Sequence, residues 1–230
     1  MIRNTLVIDT CDRLFPMCSG YVCEREGIQH PSDQEWGRGW TMVRKEWERV
    51  LQKLNIMNCS LLFVAHATEK KITKKKVEID RTQPDLSKTG LDLVHDLSDL
   101  ILYMGHDKED NPKLYGRTRE GLMVGCRGGI QIDGMEPSFQ SIADAVKKAS
   151  GKSFEDVKPT ILLFGPPKIG KSTLASTFPN PVIIDMENGY KFLKVPEKYL
   201  CGDWPTFLEI CAEIANGKDF GSKNDNKEKE

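Results

Sequence analysis

The sequence lacks the features that would place the protein in a membrane, outside the cell or among globally basic nucleic-acid-binding proteins. None of its apolar runs approaches the roughly 18 residues of a membrane helix. Its start, MIRNTLVIDT, has no long apolar stretch and no signal cleavage site. Lys and Arg number 33 and Asp and Glu 34, so the formal net charge is −1, and a nucleic-acid contact would need a local basic patch. We therefore expect a globular, cytoplasmic protein.

The cysteines lack the paired spacing of a disulfide framework or a zinc ribbon. There are 7 of them, an odd number, and no C-x-x-C pair occurs. This pattern predicts reduced, intracellular thiols. Cys18, Cys23 and His30 lie close enough in sequence to raise the question of a zinc site. Structural zinc sites usually offer tighter pairs, so buried or idle thiols are the favoured interpretation.

What the sequence does contain is an alternation of apolar runs and helical patterns, which predicts an α/β fold. Strands that are apolar throughout are typical of a parallel sheet covered by helices on both faces. The predicted strands are Asn4–Asp9, Ser60–His66, Asp99–Met104, Thr160–Gly165 and Pro181–Gly189. The predicted helices span about 33–55, 86–97, 137–152, 171–178 and 204–216, and the third has Ser138 near its cap and Gly151 near its end. In the first of these helices, Trp36, Trp40, Val43, Trp47, Val50 and Leu54 recur at helical spacing and predict a core-facing stripe.

The remaining segments are predicted to be irregular or peripheral. Residues 11–33 contain Pro16, Gly20, Gly27 and Pro31 and show no clear element. The charge run 69–76 predicts a loop, and 113–129 predicts a hairpin or a peripheral strand pair. Residues 151–158 are expected to form a linker, and the polar tail 221–230 is expected to be disordered.

The most specific motif is GPPKIGKST, from Gly165 to Thr173. It fits the phosphate-binding pattern G-x-x-x-x-G-K-[ST] and lies directly between a predicted strand and a predicted helix, which strengthens the match. Backbone N–H groups of such a loop point donors at the phosphates of a nucleotide such as ATP. The expected nucleotide-binding residues are Gly165, Pro166, Pro167, Lys168, Ile169, Gly170, Lys171, Ser172 and Thr173. Lys171 should reach the β- and γ-phosphates, and the Ser172 hydroxyl should ligate Mg²⁺.

Other polar residues follow the predicted strands, where ligands of parallel sheets bind. Asp9 ends one strand and is expected to hold Mg²⁺ through water; a helix-capping role is the alternative. Glu187 is the candidate that activates the attacking water, with Asp185 its competitor. His66 ends another strand and is a candidate sensor of the γ-phosphate, although a lone His is more often structural.

These stretches together resemble the core of RecA-like P-loop ATPases. TILLFGPPKIGKSTLASTF, PVIIDMENG, NTLVIDTCDRLF and SLLFVAH look like AAA-type ATP-binding proteins of phages, a group that includes single-strand-annealing recombinases. GIQHPSDQEWGRGW looks like that family's segment before its long helix. The resemblance implies a three-layer core that binds ATP and Mg²⁺. It also implies the catalytic roles of Glu187, Lys171 and His66, the metal role of Asp9, and a location in a bacterial host cell.

The order of the halves departs from the family, in which the P-loop half comes first. Here 159–220 resemble the family's beginning and 1–150 its remainder, joined by 151–158, within a single domain over 1–230. The sequence therefore resembles a circularly permuted ATPase. The alternative is that two partial domains were joined by chance or by assembly of the source sequence.

The resemblance implies an ATPase that acts with single-stranded DNA, and a homo-oligomer with the nucleotide at the subunit interface. The candidate DNA contacts are Lys70, Lys71, Lys74, Lys75 and Lys76, although such runs are usually solvated surface. A nucleotide-binding regulatory or assembly module with little hydrolysis is the alternative. A small-molecule kinase ranks last, because its acceptor pocket would be rich in arginine and the only candidates are Arg117, Arg119 and Arg127.

Overall fold

The computed structural model describes residues 5–74 and 77–216, and within these ranges ten strands form one sheet. The strands are β1 (Thr5–Asp9), β2 (Ser60–Lys74), β3 (Val77–Pro84), β4 (Leu100–His106), β5 (Pro112–Tyr115), β6 (Gly125–Cys126), β7 (Asp133–Met135), β8 (Thr160–Gly165), β9 (Pro181–Asp185) and β10 (Glu197–Leu200). The helices are α1 (Cys11–Glu26), α2 (Arg38–Asn55), α3 (Lys88–Leu97), α4 (Phe139–Ser150), α5 (Phe154–Val157), α6 (Lys171–Ser176) and α7 (Trp204–Ala215). None of these helices is long and apolar enough to cross a bilayer.

The sheet is parallel across its centre, as the apolar runs predict. Its strand order is β10-β9-β1-β2-β8-β4-β5-β7, and every pairing from β10 to β4 is parallel. Antiparallel β5, β6 and β7 extend the β4 side, which confirms peripheral strands there. In register, Asp9 lies opposite Asp185 and His66 opposite Gly165. The carboxyl ends of four strands therefore meet at one edge.

Alternate side chains of the strands feed two separate cores, one on each face of the sheet. Leu162 and Phe164 of β8 enter the core that α1, α2, α3 and α7 cover. Ile161 and Leu163 enter the core under α4, α5 and α6. Because burying a side chain of this size contributes about 1.5–3 kcal/mol, a strand that is apolar on both faces is stable only inside such a three-layer arrangement. The predicted α/β fold class is confirmed.

The segment after β1 was expected to be irregular, and this prediction is wrong: residues 11–26 form α1. Pro16 lies inside the helix, where a missing N–H and ring clash cost about 3 kcal/mol or more. The helix nevertheless buries Leu14, Phe15, Cys18 and Val22 on one face. Burial of that face offsets the proline, and Gly27 ends the helix in a left-handed conformation (φ 67°).

The core-facing stripe is confirmed from Val43 onward, whereas Trp40 is half-buried against His30 and lies outside the core. α2 begins at Arg38, after two short 3-10 turns, Pro31–Asp33 and Glu35–Gly37. Trp36 has a left-handed backbone (φ 58°) and is 99% exposed, so it does not join the core. Trp47, by contrast, is fully buried with its ring edge-on to Phe15 at 5.4 Å. Helical spacing alone extended the predicted helix too far towards its start.

The charge run was expected to form a loop, and for 69–74 this prediction is wrong. β2 continues beyond His66 to Lys74 and pairs with antiparallel β3 as a long hairpin. Lys75 and Lys76 lie outside the described residues. The strand persists because its residues alternate between the two faces of the hairpin, and cross-strand pairs such as Ile72 with Ile79 stabilise it.

In the second half α4 follows its sequence signals, whereas β10 was not predicted. Ser138 caps α4 by accepting the Ser141 N–H, and Gly151 ends it in a left-handed conformation, as predicted. The expected linker 151–158 contains α5, whose Phe154 is buried against Phe139 and Phe178. This segment is therefore packed at one point rather than exposed throughout.

Candidate functional site

The phosphate-binding pattern lies where the sequence predicts it, between β8 and α6. A Cβ atom on Gly165 would lie 2.4 Å from the carbonyl oxygen of Met104 on β4, so no other residue fits there. Gly170 has φ 104°, a conformation that side chains strongly disfavour. Lys168 adopts a left-handed backbone within the loop (φ 64°). Glycine is therefore needed at position 165 for close packing against β4, and at position 170 for the backbone conformation just before α6.

Lys171 is buried at the start of α6 and folds back onto the loop. Its Nζ donates to the carbonyl oxygens of Gly165 at 3.0 Å and Pro166 at 2.8 Å. Burial lowers the pKa of its ammonium group, and the nearby carboxylates of Asp9, Asp12 and Glu187 oppose that shift. An ammonium bonded only to neutral carbonyls is well placed to exchange them for the charged oxygens of a phosphate.

Ser172 and Asp9 meet although 163 positions separate them in the sequence. The Ser172 hydroxyl donates to Asp9 Oδ2 at 2.7 Å, and the Tyr190 hydroxyl donates to the same oxygen at 2.8 Å. Burial raises the pKa of the Asp9 carboxyl, and these two hydrogen bonds oppose that rise. Tyr190 is buried, and neither charge nor spacing marks it in the sequence. Its position shortly after the acids of β9 was the one available signal.

Asp185 is occupied with backbone bonds. Its Oδ1 accepts the N–H groups of Glu187 and Gly189, both at 3.1 Å, and its Oδ2 accepts the N–H of Tyr190 at 3.3 Å. These bonds fix the backbone of the turn after β9 and thereby the directions of the side chains that follow. The geometry therefore assigns Asp185 to the turn, and Glu187 extends away from it.

Glu187 lies in an open cleft of about 440 Å³. The cleft is lined by Asp12, Arg13, His66, Asp85, Glu187 and Pro167 of the phosphate loop. Arg13 Nε donates to Glu187 Oε1 at 3.0 Å, and His66 Nε2 lies 3.9 Å from Glu187 Oε2. Asp12 and Arg13 were missed by the sequence analysis because α1 was not recognised as a helix. A helix starting directly after the Asp9 strand would have placed them at this edge.

Three side chains of types that can bind a metal lie close together within the described residues. Ligand atoms of Asp12, His66 and Glu187 lie within 4.8 Å of one another. Cys18 and Cys23 are buried in the α1 face and His30 Nδ1 accepts the Ser32 N–H, so the described chain shows no zinc cluster there. Every cysteine in the described residues is free.

The basic candidates lie on the β2–β3 hairpin and do not line this cleft. Lys70 and Lys71 are exposed, Lys70 Nζ donates to the Leu86 carbonyl at 3.4 Å, and the structure describes only the backbone of Lys74. The arginines of the kinase hypothesis also lie elsewhere: Arg117 is exposed, and Arg119 pairs with Asp133. Arg127 follows β6, which pairs with the first residues of β4, at the edge opposite the phosphate loop.

A model of the AAA domain matches residues 3–131 and 157–229. The chain belongs to the AAA domain family. The matched segments include the phosphate loop and the strand ends that carry Asp9, His66 and Glu187. No curated protein and no solved structure matches the chain. AAA domains are nucleotide-binding ATPase domains that usually use Mg²⁺, so nucleotide binding is the general function of this AAA domain.

Proposed function

We propose that this AAA domain is a Mg²⁺-dependent, RecA-like ATPase of the phage type that acts in DNA recombination or single-strand annealing. The observation that carries the ATPase part is the meeting of Ser172, Asp9 and the Glu187 cleft at one edge of the sheet, and the recombination part rests on the resemblance to phage ATP-binding proteins. The phosphate loop would bind ATP through its N–H groups and Lys171. A hydroxyl and a carboxylate 2.7 Å apart are the oxygen ligands that Mg²⁺ prefers. Ser172 would ligate Mg²⁺ and Asp9 would hold it through water, and the ion neutralises phosphate charge when bound.

Glu187 is proposed to activate the attacking water. The water oxygen bonds to the γ-phosphorus while one of its protons passes to the Glu187 carboxylate. The bond from the γ-phosphorus to the β–γ bridging oxygen breaks, and its electron pair stays on ADP. Glu187 fits this role because its carboxylate faces the cleft lined by Pro167, whereas Asp185 already accepts three backbone N–H groups.

Single-turnover ATP hydrolysis, with and without single-stranded DNA, tests the proposal. Hydrolysis that depends on Mg²⁺ and responds to DNA supports the ATPase. Tight ATP binding without turnover under both conditions would instead favour the regulatory or assembly module. A homo-oligomer with nucleotide between subunits belongs to the same proposal, because the cleft is open and the Arg13 side chain is 65% exposed. Sedimentation with and without ATP tests that part.

The β2–β3 hairpin is proposed to contact the DNA, and its two faces differ in charge. Lys70 lies opposite Arg81, and Ile72 lies opposite Ile79, so one face is basic and apolar. Lys71 lies opposite Asp80 on the other face, beside the Glu69 position. Directly opposite residues of an antiparallel pair share a face. Phosphate contact therefore favours the Lys70 face over the Lys71 face.

Replacing Lys70 and Arg81 together by alanine is expected to weaken single-stranded DNA binding. Each lost phosphate contact removes about 0.7 from the dependence of log affinity on log salt, so the slope should fall by about 1.4. Lys71→Ala is the matched control, because it removes a hairpin charge that Asp80 already faces, and its slope should stay unchanged. Fluorescence anisotropy over a salt series measures both. A slope change of about 0.7 for Lys71→Ala, half that of the double variant, would mean that the hairpin acts through its overall charge.

We also propose that the chain is a circular permutation, with 1–150 and 159–220 as the exchanged halves. In support, β9, β1, β2, β8 and β4 are neighbours in one sheet although β8 and β9 follow β1, β2 and β4 in the chain. The two sites that the permutation would join also lie at one groove. Cys59, next to the partner of Thr5, and Asn216 both line it. The bridging residues 217–230 lie outside the described residues.

A rearranged chain that starts at Lys152, runs through Glu230 into Met1 and ends at Gly151 should fold and bind ATP as the parent does. The cut precedes α5 because Phe154 is buried, and cuts at surface positions are tolerated. Thermal unfolding and ATP titration, compared with the parent chain, measure the outcome. An insoluble product would contradict the single permuted core and favour two joined half-domains.

A further inference from the structure

Asp12 holds His66 at two points. The backbone N–H of His66 donates to Asp12 Oδ1 at 3.2 Å, and His66 Nδ1 lies 3.0 Å from Asp12 Oδ2. Asp12 lies in the first turn of α1 and His66 lies on β2, so the contact joins two elements whose sequence positions are 54 apart. The Asp12 side chain is only 11% exposed. Both oxygens of the Asp12 carboxylate therefore form hydrogen bonds with His66.

This contact determines which nitrogen of the ring carries hydrogen. A carboxylate only accepts hydrogen bonds, so Nδ1 must be the donor. In a neutral imidazole the other nitrogen then has a free lone pair. In that neutral form Nε2 of His66 is an acceptor, and it lies 3.9 Å from Glu187 Oε2. Two acceptors at that separation cannot bond to each other directly, but one water molecule can donate a hydrogen to each.

We propose that Asp12 is a positioning residue for the attacking water. It orients His66 so that His66 Nε2 and Glu187 Oε2 each accept one hydrogen bond from that water. The inference rests on the proposed ATPase function. One hydrogen of the water is directed to Glu187, which takes that proton during attack, and the other is held by His66 Nε2. The water oxygen then presents its lone pair to the space beside Pro167, which lines the same cleft. Fixed orientation of this kind lowers the barrier to reaction.

The inference changes the role of His66. A residue that senses the γ-phosphate must donate a hydrogen bond to it, and a neutral ring held by Asp12 has no N–H at Nε2 to donate. The ring therefore acts on the water rather than on the phosphate. Arg13 lies on the opposite side of Glu187 and fixes its other oxygen, Oε1, at 3.0 Å. Oε2 is thus the oxygen left facing His66.

Asp12→Asn provides the first test. The asparagine keeps the shape and one oxygen, but its NH₂ group would donate to Nδ1 and thereby favour the tautomer with hydrogen on Nε2. We expect kcat for ATP hydrolysis to fall by about 10- to 100-fold with ATP affinity retained, since Asp12 is not in the phosphate loop. Asp144→Asn is the matched control. It makes the same exchange at an exposed position of α4, outside the cleft, and kcat should be unchanged.

Coupling and spectroscopy separate positioning from a structural role. In a His66→Ala background, Asp12→Asn should cause no further loss of kcat, whereas a structural role would cost the same in both backgrounds. The ¹⁵N shifts of labelled His66, assigned with the His66→Ala variant, should show hydrogen on Nδ1 in the parent and on Nε2 in Asp12→Asn. Full kcat in Asp12→Asn, or an unchanged tautomer, would overturn the inference. Absence of hydrolysis in the parent would instead contradict the proposed ATPase, and the tautomer measurement would still decide the contact.

Discussion

Lys171→Ala is expected to abolish tight ATP binding. Lys171 is the buried cation of the phosphate loop, and its Nζ lies on the carbonyl oxygens of Gly165 and Pro166, where phosphate oxygens would replace them. A hydrogen bond to a charged group contributes about 1.5–3 kcal/mol, so the loss of more than one such bond weakens binding by about 10²-fold or more. Titration of a fluorescent ATP analogue in the presence of Mg²⁺ measures the effect.

The control for this prediction is Lys147→Ala, which removes the same charge from the exposed side of α4. Its ATP affinity should match that of the parent chain. Thermal unfolding of both variants checks the fold, since burial already disfavours the charged form of Lys171 and its removal should leave the domain folded. Parental ATP affinity in a folded Lys171→Ala protein would refute the assignment of the phosphate loop.

Glu187→Gln is expected to retain ATP and to hydrolyse it about 10²-fold more slowly or worse, because an amide cannot take a proton from water. The glutamine keeps the size of the side chain and an oxygen that can accept from Arg13. Rapid-quench measurement of a single turnover, at ATP concentrations that saturate both proteins, isolates the chemical step.

Asp185→Asn distinguishes Asp185, the last residue of β9, from Glu187, which follows the strand. Its carboxylate accepts the N–H groups of Glu187, Gly189 and Tyr190, so its replacement should lower the melting temperature as well as activity. A selective loss of turnover belongs to Glu187 alone. If Glu187→Gln hydrolyses ATP at the parental rate while a folded Asp185→Asn does not, the role of water activation passes to Asp185.

The elements predicted well from the sequence are those in which local signals and burial agree. β8 spans Thr160–Gly165 as predicted, because each of its residues is buried between two layers of helices. α4 has its predicted cap at Ser138 and its predicted end at Gly151, because both positions are set by local hydrogen bonds and backbone conformation. At the phosphate loop, steric and phosphate-binding requirements fix the residue types in their order.

The elements that sequence reasoning missed depend on distant partners. α1 contains a proline that a local pattern takes as a break, and only the core that it covers makes it a helix. The outer half of β2 is polar and gains its strand conformation from pairing with β3. Tyr190 and Asp12 belong to the site because they bond to residues far away in the sequence. Tyr190 bonds to Asp9, and Asp12 bonds to His66. No local spacing encodes such contacts.

The meeting of Asp9 with Ser172 also has a consequence for the protein during synthesis. β1 is hydrogen-bonded to β2 on one side and to β9 on the other, and β2 in turn needs β8. The two residues are 163 positions apart. A ribosome that adds about 5–20 residues per second therefore synthesises Ser172 about 8 to 30 s after Asp9. Throughout that interval the emerging chain presents apolar strands with unpaired edges, which is the condition that promotes aggregation. Folding of this domain while it is being made should therefore depend on chaperones that cover β1 and β2 until β8 and β9 arrive.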